Sequence, residues 1–118
     1  MKKLLLLTTV VLIATTQIFA QTTSIPDANF EAYLETHDAN GNTSTWPNTM
    51  GDGVANNGMV LTANINTITS LDVNNQNISD LTGIEDFADL YWLYCNNNQL
   101  STLDLSSNSV LYELDCSY

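Results

Sequence analysis

The residues 68–116, ITSLDVNNQNISDLTGIEDFADLYWLYCNNNQLSTLDLSSNSVLYELDC, decide how this chain folds. Ile68, Leu90 and Leu111 fall in one column, Leu71, Leu93 and Leu114 in a second, and Val73, Cys95 and Cys116 in a third, at offsets of 22 and then 21 residues. Ile78 and Leu100 keep the same spacing. Self-similarity at that period is the mark of units that stack, each burying its apolar residues only against a neighbour. Within a unit the phrase Leu-x-Val or Leu-x-Cys has a period of two, which sends alternate side chains to opposite faces of a strand. Leu71, Val73, Leu93, Cys95, Leu114 and Cys116 are therefore expected to point inward together.

The full phrase, apolar-x-x-apolar-x-apolar-x-x-Asn-x-apolar, resembles the leucine-rich repeat. The chain looks like the start of a secreted leucine-rich repeat protein, similar to the internalin-like repeat proteins of Bacteroidota. The resemblance implies an α/β-type solenoid with parallel β-strands, a mostly irregular or 3-10 convex side and a short N-terminal helical cap. It also implies that Asn98 turns inward and satisfies free backbone groups at a bend, which a side chain with both donor and acceptor can do. Gln76, with Asn77 beside it, stands at that position in the first unit, so a looser bend is expected there. Ile78, Leu81, Ile84 and Phe87 step by three, which predicts a helical or 3-10 return. Leu100, Leu103, Leu105 and Asn108 repeat the phrase half a period later, which predicts a second short strand or extended turn.

At 118 residues the chain has room for one domain. Lys2 and Lys3, an apolar run from Leu4 to about Ala14 and the small residue of Ile18-Phe19-Ala20 read as a secretory signal peptide over residues 1–20. Threonines at 8, 9, 15 and 16 break the run, so a spanning anchor is not expected. Residues 21–58 are expected to form an N-terminal cap helix and loop, and residues 59–118 the repeats, incomplete at their C-terminal end. Beyond residue 20 there are 13 acidic residues and no Lys or Arg. Nucleic acid and anionic lipid need cationic side chains to displace their counterions, so neither is an expected partner, and no membrane insertion is expected after signal removal. Divalent cations or basic partners are the complements; a solvated, self-repelling surface is the plainer reading.

Pro26 and Asp27 signal a helix start, and Phe30, Tyr33 and Leu34 share one helical face, which predicts a helix over about 27–36 with Asp27 as its N-cap. Its apolar face is expected to cover the open end of the stack. Residues 37–58 are rich in Gly, Asn, Asp, Ser and Thr and read as a long loop, a length that hints at a function or a bound ion. Asp38, Asn40 and Asn42 place oxygens at alternate positions, as the first half of an EF-hand loop does, and Asp52 could complete a calcium site. Gly41 precedes Asn42 instead of following it and Thr49 occupies the twelfth position, so metal-free Asx-turns are the alternative. His37 reads as a surface residue or C-terminal cap, and Trp46-Pro47 as a pin holding the loop to the cap. Val60, Ile65 and Ile68 are the inward residues leading into the first repeat.

Cys95 and Cys116 share a column. Strand spacing permits a bridge, but parallel side-chain vectors do not favour one, so two free, buried thiols are expected.

The outward strand residues form three rows: Ser70, Trp92, Glu113; Asp72, Tyr94, Asp115; and Asn74, Asn96, Ser117. An exposed Trp and Tyr flanked by carboxylates suit a cationic peptide segment or a sugar ring, so Asp72, Trp92, Tyr94, Glu113 and Asp115 are the candidate ligand-binding residues. Packing of the rings along the strands is the competing reading. No catalytic constellation is visible: His37 lies in a loop, and there is no P-loop, dinucleotide pattern or zinc spacing. Paired carboxylates alone leave glycoside hydrolysis open. The expectation is a secreted or cell-surface recognition module for a protein or glycan partner, without catalysis. The alternative is a structural spacer of a larger surface protein, stiffened by calcium.

Overall fold

The computed structural model describes residues 19–117; most of the signal-peptide reading, over residues 1–18, lies outside them. The first described strand, β1 (Thr22–Ser24), leads into helix α1 (Ala28–Thr36). After a loop come β2 (Met59–Leu61), the single-turn helix α2 (Thr62–Ile65) and β3 (Ser70–Asp72). A 3-10 turn (Ile84–Asp86) precedes β4 (Trp92–Tyr94), and β5 (Glu113–Asp115) follows.

These strands do not make the expected α/β-type solenoid. They form two separate sheets: an antiparallel pair, β1–β2, and a parallel trio, β3–β4–β5, with few helices and no closed stack. The reason lies before the repeats. Thr22–Ser24 folds back on Met59–Leu61, so the N-terminal segment is more than a helical cap with a loop. It brackets α1 within a hairpin-like closure sealed by Val60 and Ile25, both fully buried.

The trio follows the column spacing. Leu71 pairs with Leu93 and Leu93 with Leu114, in parallel. Leu71, Val73, Leu93 and Cys95 are buried as expected, and so are Val60, Ile65 and Ile68. Leu114 is not: on the outer strand of the trio it has a neighbour on one side only and stays 48% exposed. The return of the first repeat buries Ile78, Leu81, Ile84 and Phe87. In the second, residues 100–108 form no strand and run irregularly to a turn at 106–107, with Leu100, Leu103 and Leu105 only partly buried.

Helix α1 begins where its sequence says it should. Asp27 Oδ1 accepts the N–H groups of Asn29 and Phe30, at 2.9 and 3.0 Å, which satisfies two of the donors a helix start leaves free. Its other oxygen, Oδ2, accepts from Ser79 N–H, the Ser79 hydroxyl and Asp80 N–H at 2.9, 3.0 and 3.1 Å. One carboxylate thus starts the helix and ties it to the bend of the first repeat. Partial burial pushes the Asp27 carboxyl up, but the bonds from Ser79, Phe30 and Asn29 together outweigh it and hold the group below its ordinary range. Phe30 and Leu34 are fully buried, and the Phe30 ring packs against Phe87 with centroids 6.2 Å apart. His37 is the C-cap, its Nδ1 2.9 Å from the Tyr33 carbonyl and its ring stacked on Tyr33 at 4.0 Å.

The loop is anchored by its backbone and by Met50, not by Trp46. Met50 is buried and its N–H donates to the His37 carbonyl at 2.9 Å, whereas Trp46 is 48% exposed and its ring lies over Gly53, where a Cβ would collide with it. Glu35 receives the N–H groups of Asp52 and Gly53, and Glu31, buried, receives that of Asn57 at 2.8 Å. Burial first, and the neighbouring Asp52 with it, raises the Glu35 carboxyl against the effect of those N–H bonds.

Cys95 and Cys116 are joined as a disulfide, which corrects the expectation of two free thiols. In-register parallel pairing brings their Cα atoms to 4.5 Å, inside the range a bridge spans, and this closeness overrides the parallel side-chain vectors.

Candidate binding face

The face is built on a row of asparagines. Asn74 Oδ1 accepts the N–H of Asn96 at 2.6 Å, and Asn96 Oδ1 accepts that of Ser117 at 2.7 Å, so each repeat hands a side-chain acceptor to the next. Asn98 sits inside the bend. Its Nδ2 donates to the carbonyls of Val73 and Cys95 at 2.7 and 3.1 Å, while its Oδ1 accepts from Gln76 and Ile78 N–H at 3.1 and 3.0 Å. A single amide satisfies groups of two successive repeats, which sets their separation. Asn75 and Asn97, at φ of 59° and 55°, turn the chain off each strand in the left-handed region that Asn tolerates.

On this base, Trp92 lies between Ser70 and Glu113, and Tyr94 between Asp72 and Asp115, the rows the spacing predicts. Trp92 is 38% exposed and Tyr94 half-buried, and the Tyr94 hydroxyl donates to Glu113 Oε1 at 3.2 Å. Local desolvation, then the charges of Glu113, Asp115 and Asp72, push the Tyr94 phenol above its ordinary value, so it stays a donor. Asn96 and Ser117 hold the Asp115 carboxyl below its ordinary range. Asp72 accepts from Asn74 N–H at 3.0 Å and borders a polar cleft of about 470 Å³ with Tyr33, His37, Asn40 and Gln76.

Two aromatics of the face were not among the predicted residues. Tyr91 and Tyr112 are 37% and 74% exposed, and their rings stack at 5.1 Å with 11° between planes. Tyr91 also meets Trp92 edge-on at 4.6 Å. Strict alternation would turn residue 91 inward with Leu93. Instead the Thr69 carbonyl accepts both Tyr91 and Trp92 N–H, at 2.8 and 3.0 Å, and the Tyr91 carbonyl accepts both Tyr112 and Glu113 N–H, at 2.9 and 3.1 Å. Tyr91 and Tyr112 stand just before β4 and β5, so strand alternation does not reach them, and the offsets of 22 and 21 run through them with no inserted residue. The 21-residue offset between Tyr91 and Tyr112 was the available signal.

Of the predicted calcium ligands, Asp38 and Asn42 lie together, with Asn42 Nδ2 3.5 Å from the Asp38 carboxylate. Asp38 Oδ1 accepts the N–H groups of Asn40 and Asn42, both at 2.9 Å, as an Asx-turn does, and these bonds hold its carboxyl below the usual range. Asp52 is engaged elsewhere, by Val54 N–H at 2.9 Å and Asn57 Nδ2 at 2.8 Å. Among the described residues no three His, Cys, Asp or Glu side chains are grouped to hold a metal ion. Nor is any described helix long and apolar enough to cross a membrane.

The repeat spacing, the parallel trio and the asparagine row give this chain its likeness to internalin-type leucine-rich repeats. The relatives are from Listeria monocytogenes. Internalin J of serotype 4b (strain F2365) is 51% identical over 43 residues, 36% of this chain and 5% of that protein. The solved structure described as the functional domain of InlJ, which includes a cysteine ladder, is 32% identical with a TM-score of 0.59, covering 86% of this chain and 21% of that one. This chain therefore spans a small part of either relative. No family model matches it.

Proposed function

We propose that this protein is an adhesion-type binding module, secreted or held at the cell surface, that recognises a protein or glycan partner with the outward face of its parallel sheet and performs no catalysis. The observation that carries the reading is the exposure of Trp92 in register with Glu113, beside Tyr94 and the carboxylates Asp72 and Asp115. Large rings with few rotatable bonds, next to fixed hydrogen-bonding groups, are what binding hot spots are made of. The likeness to Internalin J supports the same reading.

The test is a capture assay on protein and glycan arrays, with Trp92→Ala and Tyr94→Ala compared to the parent. Loss of capture by both variants, with melting temperatures within a few degrees of the parent, supports the reading. A parallel loss of stability would favour the second reading, a structural spacer, for which the edge-on packing of Tyr91 and Trp92 speaks. A calcium-stiffened form of that spacer predicts a melting temperature that rises with added calcium and falls with chelator.

A further inference from the structure

We propose that the row of rings Tyr112–Tyr91–Trp92, with Glu113 beside it, is a docking strip for an extended basic peptide segment, its Lys or Arg side chains lying over the rings and ending at Glu113. This rests on the binding reading above and narrows it to one ligand class. Three observations carry it. The rings are contiguous, with centroids 5.1 and 4.6 Å apart, and all three are exposed, so the stack turns its uncovered faces and edges to solvent instead of filling a core. Glu113 stands in register with Trp92, with the Tyr94 hydroxyl 3.2 Å from its carboxylate, so an anion is positioned at the end of the row. The described residues contain 13 acids and no Lys or Arg, so no cation of the described chain competes for that strip. Cations bind ring faces electrostatically, and Arg does so best, because its flat group also stacks.

The entry into each strand suits such a ligand. It places aromatic side chains at consecutive positions, 91 and 92, and renews the outward ring one repeat later at 112. A side chain with a long apolar stem can lie along this row and keep its charged end at the carboxylate.

Acidic proteins attract basic peptides without any site, so the experiment must separate rings from charge. Binding of a blocked hexa-arginine peptide, the equally shaped hexa-citrulline peptide and cellohexaose is measured by calorimetry at fixed salt. The variants are Tyr112→Leu with Trp92→Leu, Glu113→Gln, and Asp104→Asn, an exposed carboxylate in the turns after β4. Hexa-arginine should bind the parent while hexa-citrulline and cellohexaose do not. The ring variant, whose net charge is unchanged, should weaken binding about tenfold, from two cation–π contacts of about two- to fivefold each. Glu113→Gln should weaken it clearly more than Asp104→Asn. If the double variant loses its circular dichroism, Tyr112→Leu alone decides, with about two- to fivefold expected.

Equal small effects of Glu113→Gln and Asp104→Asn, with no effect of the rings, would reduce the binding to diffuse charge and overturn the proposal. Ring-dependent binding of hexa-citrulline or cellohexaose, at or above that of hexa-arginine, would overturn the cationic class and leave the binding face intact. Failure of the parent to bind any of the three overturns the strip as a basic-peptide site, while a partner captured on the arrays would keep the broader reading.

Discussion

Asn98 is the residue on which the spacing of the repeats turns. Its amide meets three carbonyls and two N–H groups across two repeats, so removing it takes a partner from all five at once. Asn98→Ala should cost about 2 kcal/mol or more, read as a lower urea midpoint at unchanged slope, because an unpaired inner polar group costs about 1–3 kcal/mol. Its inward role was implied by the resemblance of the repeated phrase to the leucine-rich repeat. The outward turn of Tyr91 and Tyr112 was not legible, since both stand just before a strand, where a period of two does not yet apply. Trp46 misled for a different reason: a large ring in a polar loop suggests an anchor, yet here Met50 is the side chain the core takes in.

At the scale of elements, α1 was the easiest to read, because Asp27 before a three-and-four spacing of Phe30, Tyr33 and Leu34 is a local signal. The antiparallel pair β1–β2 was the hardest. Each strand has three residues, too few to show alternation, and its partner lies more than thirty positions away. The Cys95–Cys116 bridge lies between these cases. The shared column placed the two residues side by side at a spacing that permits a bridge, while the side-chain vectors read from it argued against the bond. The bridge ties β5 to β4 and closes a loop of 21 residues, for which chain entropy gives a stabilisation of about 3 kcal/mol. Thiol titration of the unfolded, non-reduced protein should find no reactive sulfur, and two after reduction. Finding two before reduction would remove the bridge from this account. Reduction should raise amide exchange in β5, whose Leu114 is already half exposed, well before it does so in β3.

For the molecule as a whole, charge is the dominant fact. Thirteen carboxylates share the chain beyond residue 20 with no Lys or Arg, so they are relieved by uncharged backbone and side-chain donors and by salt. Exposed charges more than about 8–10 Å apart are largely screened at ordinary ionic strength, and more salt shortens that range. Raising sodium chloride from low concentration to about 0.5 M should therefore raise the melting temperature, and a fall would show that a favourable ion pair had been overlooked. The repeat period foretold the parallel order of β3, β4 and β5 but not the architecture around them. A periodic signal reports which residues are equivalent, and it is silent on the aperiodic segment 21–67 that folds back into its own sheet.

Everything proposed for the outward face depends on β3, β4 and β5 lying side by side in one register. Through-space proton contacts in solution test this most directly. Backbone contacts linking Leu71 to Leu93 and Leu93 to Leu114 are expected, together with ring-to-ring contacts between Tyr91 and Tyr112. Contacts displaced by one residue, which would turn Trp92 inward, or an absence of any between residues 92–94 and 113–115, would contradict that register.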